Sequence, residues 1–301
     1  MTAFMLQNVF QCFFVTAERP KLGLTVIVLA GVTNMILDFL FIAVFGWGLA
    51  GAAFATVCGE CVGGLLPLVY FGRKNASPFR LGKTKLYWNI LGKTCTNGSS
   101  ELMTNLSSSI VNTLFNFQLM HFAGEDGVAA YGTLMYVNFI FVAIFLGYSI
   151  GSAPIVSYHY GARNSEELKN LLTKSLKMIG VWSVALFALA QLIASPLARI
   201  FVGYDPNLFD LTRHGFRIFC LAFLVNGFNI YGSSFFTALN NGLLSALISF
   251  LRTLVFQIAS VLLLPMIFGI DGIWGAVFVA EILTLCVTII CLAKKQKVYH
   301  Y

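Results

Sequence analysis

The sequence predicts an all-α protein that crosses a membrane several times. Hydrophobic residues make up 58% of the 301 residues and charged residues only 10%, whereas about a quarter of the residues in a soluble domain are charged. The apolar residues form continuous runs long enough to cross a bilayer as helices, and they do not alternate as in the short strands of a transmembrane barrel. Nine runs are predicted, near residues 1–17, 21–45, 48–72, 98–122, 128–156, 171–198, 209–237, 242–268 and 271–293.

The distribution of basic residues predicts how these helices are oriented. All but four of the 19 Lys and Arg residues fall near residues 18–21, 73–97 and 163–177 or in the C-terminal tail. The four exceptions are Arg199, Arg213, Arg217 and Arg252. An excess of Lys and Arg in alternate loops marks the cytoplasmic side of a membrane protein, so the C-terminus is predicted to be cytoplasmic. The same distribution explains the net charge of +7 without nucleic acid as a partner.

Cysteine and histidine positions argue against an enzyme. The seven cysteines lie mostly within apolar runs, where a thiol behaves as a small apolar group. Cys58 and Cys61 have the spacing of a redox motif, but within a membrane helix we interpret them as packing residues. The four histidines are scattered, and the sequence contains no His-Glu-x-x-His or Gly-x-Ser-x-Gly motif. The protein is therefore predicted not to be an enzyme and to need no cofactor.

Polar side chains inside the second and third runs predict a site for a small cation. Asn34 and Asp38 are four residues apart and share one helix face, and Ala52, Thr56 and Glu60 repeat this spacing in the next run. A carboxylate at the centre of a membrane helix raises the free energy of membrane insertion by roughly 2.5–3.5 kcal/mol, so such a residue normally has an interaction partner or a function. If the two runs pack as an antiparallel pair, their oxygens converge in a cage that suits a hard cation or a proton.

A polar linker and an internal repeat predict how the helices are grouped. The basic and aromatic residues of the linker, residues 73–97, are typical of a short helix on the membrane surface. Thr16-Ala17 and Gly48-Leu49-Ala50-Gly51 return as Thr237-Ala238 and Gly272-Ile273-Trp274-Gly275, at offsets of 221 and 224 residues. A repeat of this length predicts that a further three helices would precede Met1. The predicted domains are residues 1–72 with three helices, the linker, residues 98–294 with six helices, and a basic tail at 295–301.

Several segments resemble the multidrug and toxic-compound extrusion (MATE) family, and most closely its MepA-type bacterial subgroup. They occur in family order and include GVTNMILDFLFIAVFGWGLAGAAFAT, GSSELMTNLSSSIVN, AGEDGVAAYGTLMYVNFIF, APIVSYHYGARN and ALNNGLLSALISFLRTLVFQ. The resemblance implies a two-lobe fold of twelve helices, of which this chain would contain half of the first lobe and all of the second. It also implies a secondary antiporter of the bacterial cell membrane, which exports organic cations and other amphipathic drugs in exchange for Na⁺ or H⁺.

The resemblance also assigns roles to individual residues. Family members bind the coupling ion through an Asn and an Asp one turn apart, matched here by Asn34 and Asp38. A Thr and a carbonyl on the next helix complete that site, matched by Thr56 and Ala52, so Asn34, Asp38 and Thr56 would be metal ligands if the ion is Na⁺. Glu101 matches an acidic residue that some members use. Further candidates for an ion or substrate path are Glu60, Asn105, Asn112, Asn116, Asn226 and Asn229, for which the alternative role is a hydrogen bond between helices.

Two other functions stay open at this point. The first is a flippase for lipid-linked oligosaccharides, which would be built on a related twelve-helix plan. The second is a truncated remnant that does not transport because it lacks three helices. A flippase for anionic head groups is expected to have a cationic cavity. Arg252 is the only basic residue deep within a run, and it is expected to pair with Glu281, so cationic substrates are favoured. The predicted partners are the lipid bilayer and small organic cations, and the chain is predicted to be a monomer.

Overall fold

The computed structural model describes residues 1–74, 77, 79, 81–82 and 85–299, without the side chains of residues 297 and 298. Across these residues the protein is helical and contains no strand, as predicted. The chain forms two compact units, which are Met1–Tyr87 and Trp88–Tyr301. The boundary lies inside the predicted linker, and parts of that linker and of the predicted tail lie outside the described residues.

The first unit contains three helices. These are α1 (Thr2–Thr16), α2 (Pro20–Val44, whose last six residues are π-helical) and α3 (Gly48–Gly72). The turn between α2 and α3 contains Gly46 and Gly48, whose φ angles of 66° and 54° are readily adopted only by glycine. This tight turn makes α2 and α3 an antiparallel pair, which is the arrangement that the predicted cation site requires.

Two contacts hold the first unit together. The pair α2–α3 packs closely at Gly59, because a Cβ on that residue would lie 3.0 Å from both the carbonyl oxygen of Ala30 and the Cβ of Asn34. The other contact is an aromatic cluster between α1 and α3, in which the rings of Phe10 and Phe71 stack at 5.6 Å. Small residues that let backbones approach are typical of helix pairs in membranes, where lipid supplies no hydrophobic driving force.

The second unit contains the remaining helices. A long helix, α4 (Trp88–Gly161), is interrupted at Gly124, where φ is 63° and ψ is −151°, and is therefore two arms. The others are α5 (Ser165–Val202), α6 (Pro206–Ala238), α7 (Gly242–Phe268) and α8 (Ile270–Tyr299). With the arms of α4 counted separately, the described residues form nine helices, as predicted. The first arm begins ten residues before the predicted start at 98, so residues 88–97 are helical and continuous with it.

Length and composition support a membrane-spanning fold. Among the described residues, seven continuous helical segments, α2 to α8, are long and apolar enough to cross a membrane, and both arms of α4 count together as one. The first helix has 15 residues, which is short for a span of about 20 residues. In the second unit, Trp274 of α8 is fully buried, with its ring against Gly215 of α6.

Three turns between helices share one geometry. Each contains a residue other than glycine with positive φ, namely Glu18 (59°), Arg163 (54°) and Asn240 (57°). In each turn the next amide donates to the carbonyl five residues earlier, from Arg19 to Phe14, from Asn164 to His159 and from Asn241 to Phe236. This is the bond that closes a Schellman motif. The turns at Glu18 and Asn240 lie at corresponding positions of the predicted repeat, but the turn at Arg163 has the same geometry outside it, so the repeat stays a prediction.

Candidate functional site

The first candidate site lies on α2 of the first unit. Asn34 and Asp38 are partly buried, and two of their atoms, Nδ2 of Asn34 and Oδ1 of Asp38, are buried without a hydrogen-bond partner among the described residues. A buried carboxylate oxygen without a donor fits a cation or a proton. The Asn34 nitrogen is itself a donor, so this amide would ligate a cation only through its oxygen, after a rotation that coordinates rarely distinguish.

The neighbouring helix brings the other predicted ligands to the same level. Because α2 and α3 are antiparallel and Asn34 lies against Gly59, Asp38, one turn further, is level with Ala55 and its neighbour Thr56. The Thr56 hydroxyl donates to the Ala52 carbonyl at 2.9 Å and is otherwise exposed. Glu60 follows Gly59 and is partly buried. The structure therefore gathers these residues on one helix pair, and their role as ion ligands stays a prediction.

A break in regular helix geometry follows the Asp38 site. Residues Phe39–Val44 are π-helical, with the Phe45 amide bonded to the Leu40 carbonyl at 2.9 Å. Such π segments are rare and frequently lie at functional sites. The described residues contain no group of three or more His, Cys, Asp or Glu side chains that would hold a metal. A Na⁺ site here would therefore depend on amide, hydroxyl and carbonyl oxygens beside a single carboxylate.

The second candidate site is a cavity of about 400 Å³ inside the second unit. Both arms of α4 line it, together with α6, α7 and α8. Its charged and amide lining residues are Glu101, Asn112, Asn138, Asn226, Arg252, Gln257 and Glu281, and its aromatic ones are Phe115, Tyr131, Phe139 and Phe219. The cavity thus combines an apolar wall with a few polar groups, which is typical of sites for small molecules.

The predicted polar residues of α4 divide into two groups. Glu101 and Asn112 line the cavity, and the Asn112 Oδ1 accepts a hydrogen bond of 2.8 Å from the Tyr131 hydroxyl. Asn105 and Asn116 are exposed and outside the lining set, and Asn105 bonds only to the Glu101 carbonyl of its own helix at 2.9 Å. The carboxylate of Glu101 has no hydrogen-bond or ion-pair partner among the described side chains.

Asn226 and Asn229 belong to a buried charge cluster. The expected ion pair between Arg252 and Glu281 is present, with Nε of Arg252 at 2.8 Å from Oε1 of Glu281. Asn229 donates to Oε2 of Glu281 at 2.7 Å and to its carbonyl oxygen at 2.8 Å. Asn226 accepts from Nη2 of Arg252, and Thr288 donates to Oδ1 of Asn229 at 3.1 Å. Three helices, α6, α7 and α8, are joined by this cluster.

Sequence reasoning missed a group of hydroxyls beside the cavity. Ser233 lies 2.8 Å from the Ser245 hydroxyl and 2.9 Å from that of Ser249, and Thr237 lies 2.7 Å from Ser245. The four residues join α6 to α7, and Ser233 and Ser249 also line the cavity. The sequence did contain a pattern that indicates this group: the two hydroxyl residues in each helix are four positions apart, which places them on one face of that helix.

These features define a class of protein. A bundle of helices long and apolar enough to span a membrane, with a partly buried carboxylate in one span and a cavity between others, has the organisation of a membrane transporter. Residues 102–263 match the family model MatE. Because the match covers more than half of the chain, the chain belongs to the MatE family of transporters.

Individual relatives agree with this family. The chain is 22% identical over 297 residues to the multidrug export protein MepA of Staphylococcus saprophyticus, covering 95% of this chain and 63% of MepA. It is 24% identical over 286 residues to the FAD transporter of Shewanella oneidensis, covering 91% of this chain and 60% of that protein. A crystal structure of MATE in complex with MaL6 matches with a TM-score of 0.92 and 20% identity, covering 98% of this chain and 67% of that one. The chain therefore spans less than two thirds of the length of both relatives.

Proposed function

We propose that the protein exports amphipathic organic cations across the bacterial plasma membrane in exchange for Na⁺ or H⁺. The observation that carries the proposal is the cavity of the second unit, which aromatic residues line together with the exposed Glu101, a carboxylate without a side-chain partner among the described residues. Its volume of about 400 Å³ lies within the 300–1,000 Å³ range of pockets for drug-sized molecules. Membership of the MatE family and the similarity to a multidrug export protein support drug export as the activity.

The charges of the cavity favour a cation. Arg252 and Glu281 neutralise each other, so Glu101 is the one charged residue of the described cavity lining whose charge is not balanced by a neighbour. The exposed ring of Phe139 lines the cavity, and an aromatic face attracts cations through its quadrupole while its area stabilises the apolar part of the drug. An amphipathic cation therefore matches both kinds of wall.

Coupling is assigned to Asp38 in the first unit. A proton or Na⁺ on the unpartnered carboxylate favours one state of the transporter, and a drug in the cavity favours the other, so the two exchange by alternating access. A proton needs only the carboxylate, whereas Na⁺ also needs the neighbouring amide, hydroxyl and carbonyl oxygens as ligands. In the proposed orientation the C-terminus is cytoplasmic.

The FAD transporter among the relatives raises a second candidate, the transport of an anion. An anionic substrate requires a cationic group that is free to bind it. The cavity contains Arg252, but this guanidinium already bonds Glu281 and Asn226. We therefore retain the organic cation as the substrate.

Transport by cells tests the proposed function. Cells that lack their main efflux pumps and express this chain are expected to expel preloaded ethidium faster than cells with the empty vector. Collapse of the ion gradients with a protonophore and a sodium ionophore is expected to abolish the difference, because export is coupled to them. Equal efflux from both cell lines, with the chain detected in the membrane, would contradict the proposal.

A further inference from the structure

The cavity contains a permanent positive charge. Arg252 lies on a π-helical segment of α7, Leu251–Val255, and lines the cavity. A guanidinium does not lose its proton under physiological conditions. Left alone, this charge would repel any organic cation in the same cavity, since electrostatic interactions are strong where little water screens them.

Glu281 provides the opposite charge at this point. Both of its carboxylate oxygens lie within reach of Nε of Arg252, at 2.8 Å and 3.1 Å. The Glu281 side chain is 2% exposed and that of Arg252 is 16% exposed. Glu281 is therefore the more deeply buried member of the pair, and Arg252 is the more exposed one.

Two asparagines hold the pair in this arrangement. Asn229 fixes Glu281 from α6 through two hydrogen bonds, one to the carboxylate and one to the backbone. Asn226, three residues earlier on α6, accepts a hydrogen bond from Nη2 of the guanidinium. Neither charge can turn away without losing these hydrogen bonds as well as the ion pair. The pair is a fixed feature of the cavity wall.

We propose that Glu281 determines the charge specificity of the cavity by neutralising Arg252, so that a cavity with an arginine in its wall still accepts cations. This inference rests on the proposed export of cations. It assigns a role in selectivity to a residue on α8 that also makes structural contacts. A role limited to tying the helices together predicts changes in stability alone, whereas the proposed role predicts a change in which charge the cavity binds.

Binding by the purified protein in lipid nanodiscs tests the proposal. The probes are rhodamine 6G, a monovalent cation, and fluorescein, an anion, measured by fluorescence anisotropy. Glu281→Gln exposes the charge of Arg252 and is expected to weaken rhodamine 6G binding by about tenfold and to strengthen fluorescein binding by a similar factor. The double variant Arg252→Gln/Glu281→Gln has no charge at either position and is expected to return both affinities to near those of the wild type.

A matched control removes the acidic partner of an arginine outside the cavity. Arg213 pairs with Asp210 at 3.1 Å, with side chains 41% and 68% exposed. Asp210→Asn is therefore expected to change neither affinity. A second test moves the negative charge from Glu281 to Asn226, which already contacts Arg252. In the double variant Glu281→Gln/Asn226→Asp, the new carboxylate is expected to restore the preference for rhodamine 6G.

The outcomes separate this inference from the proposed function. A folded Glu281→Gln variant with wild-type preference overturns the inference and leaves the proposed function standing. A wild-type protein that prefers fluorescein contradicts the proposed function itself. If Glu281→Gln does not fold, Asn226→Asp alone decides, because a further carboxylate beside the intact pair is expected to raise the preference for the cation by about tenfold. An unchanged preference in that variant also overturns the inference.

Discussion

Replacing Asp38 by Asn is expected to abolish ion-coupled drug export while the protein stays folded. The amide keeps the shape of the side chain but cannot take up a proton or balance the charge of Na⁺. The buried Oδ1 of Asp38 has no hydrogen-bond partner among the described residues, so the change breaks no contact there. The substitution is also not expected to destabilise the fold, because an unpaired carboxylate is itself unfavourable within a membrane helix.

Ethidium efflux from cells measures this effect. Asp38→Asn cells are expected to fall to the rate of the empty vector, with wild-type amounts of protein in the membrane. Asp210→Asn is the control, since it removes the same type of charge from a side chain that is 68% exposed. An efflux rate in the Asp38→Asn variant equal to that of the wild type would contradict the assignment of ion coupling to Asp38.

Replacing Glu101 by Gln is expected to weaken the binding of cationic drugs by about tenfold or more. Glu101 lines the cavity and has no partner among the described side chains, whereas the other charges of the wall neutralise each other. The variant therefore removes the charge that attracts the drug and leaves the aromatic walls unchanged. A neutral analogue of the same drug is expected to bind as it does to the wild type.

Equilibrium binding of the cation and of its neutral analogue separates charge from shape. Glu125→Gln is a suitable control, because Glu125 is an exposed acid beside the break in α4 and outside the cavity lining. If Glu101→Gln reduces the binding of both molecules equally, the residue shapes the cavity and does not select its charge.

The helical class and the helix pair of the first unit were predictable because they depend on local signals. Continuous apolar runs predict spans, and the turn at Gly46 and Gly48 leaves only an antiparallel arrangement for α2 and α3. The pairing of Arg252 with Glu281 was also predictable, since each is too costly to bury in a membrane without a partner. These predictions needed no knowledge of the remaining structure.

Other features depend on contacts that a single sequence does not contain. The sequence predicts a surface helix within residues 73–97 and a separate apolar run from residue 98, whereas α4 is continuous from Trp88. Hydrophobicity marks depth in the membrane and not the end of a helix. Asn105 and Asn116 lie seven and four residues from Asn112 and therefore near the same face of α4, yet only Asn112 lines the cavity. The position of the neighbouring helices decides where that lining ends. The two π-helical segments, one directly after Asp38 and one that contains Arg252, were likewise not predicted from the sequence.

Photolabelling tests most directly the central claim that the cavity of the second unit binds the cation. An aryl azide derivative of ethidium is activated by light on the nanodisc-embedded protein, and the labelled peptides are identified by mass spectrometry. We expect labels on cavity residues of several helices, such as Met135, Ile230 and Thr253, and their loss when excess unmodified ethidium competes. Labels confined to residues outside the cavity, or labels that excess ethidium does not reduce, would contradict the account.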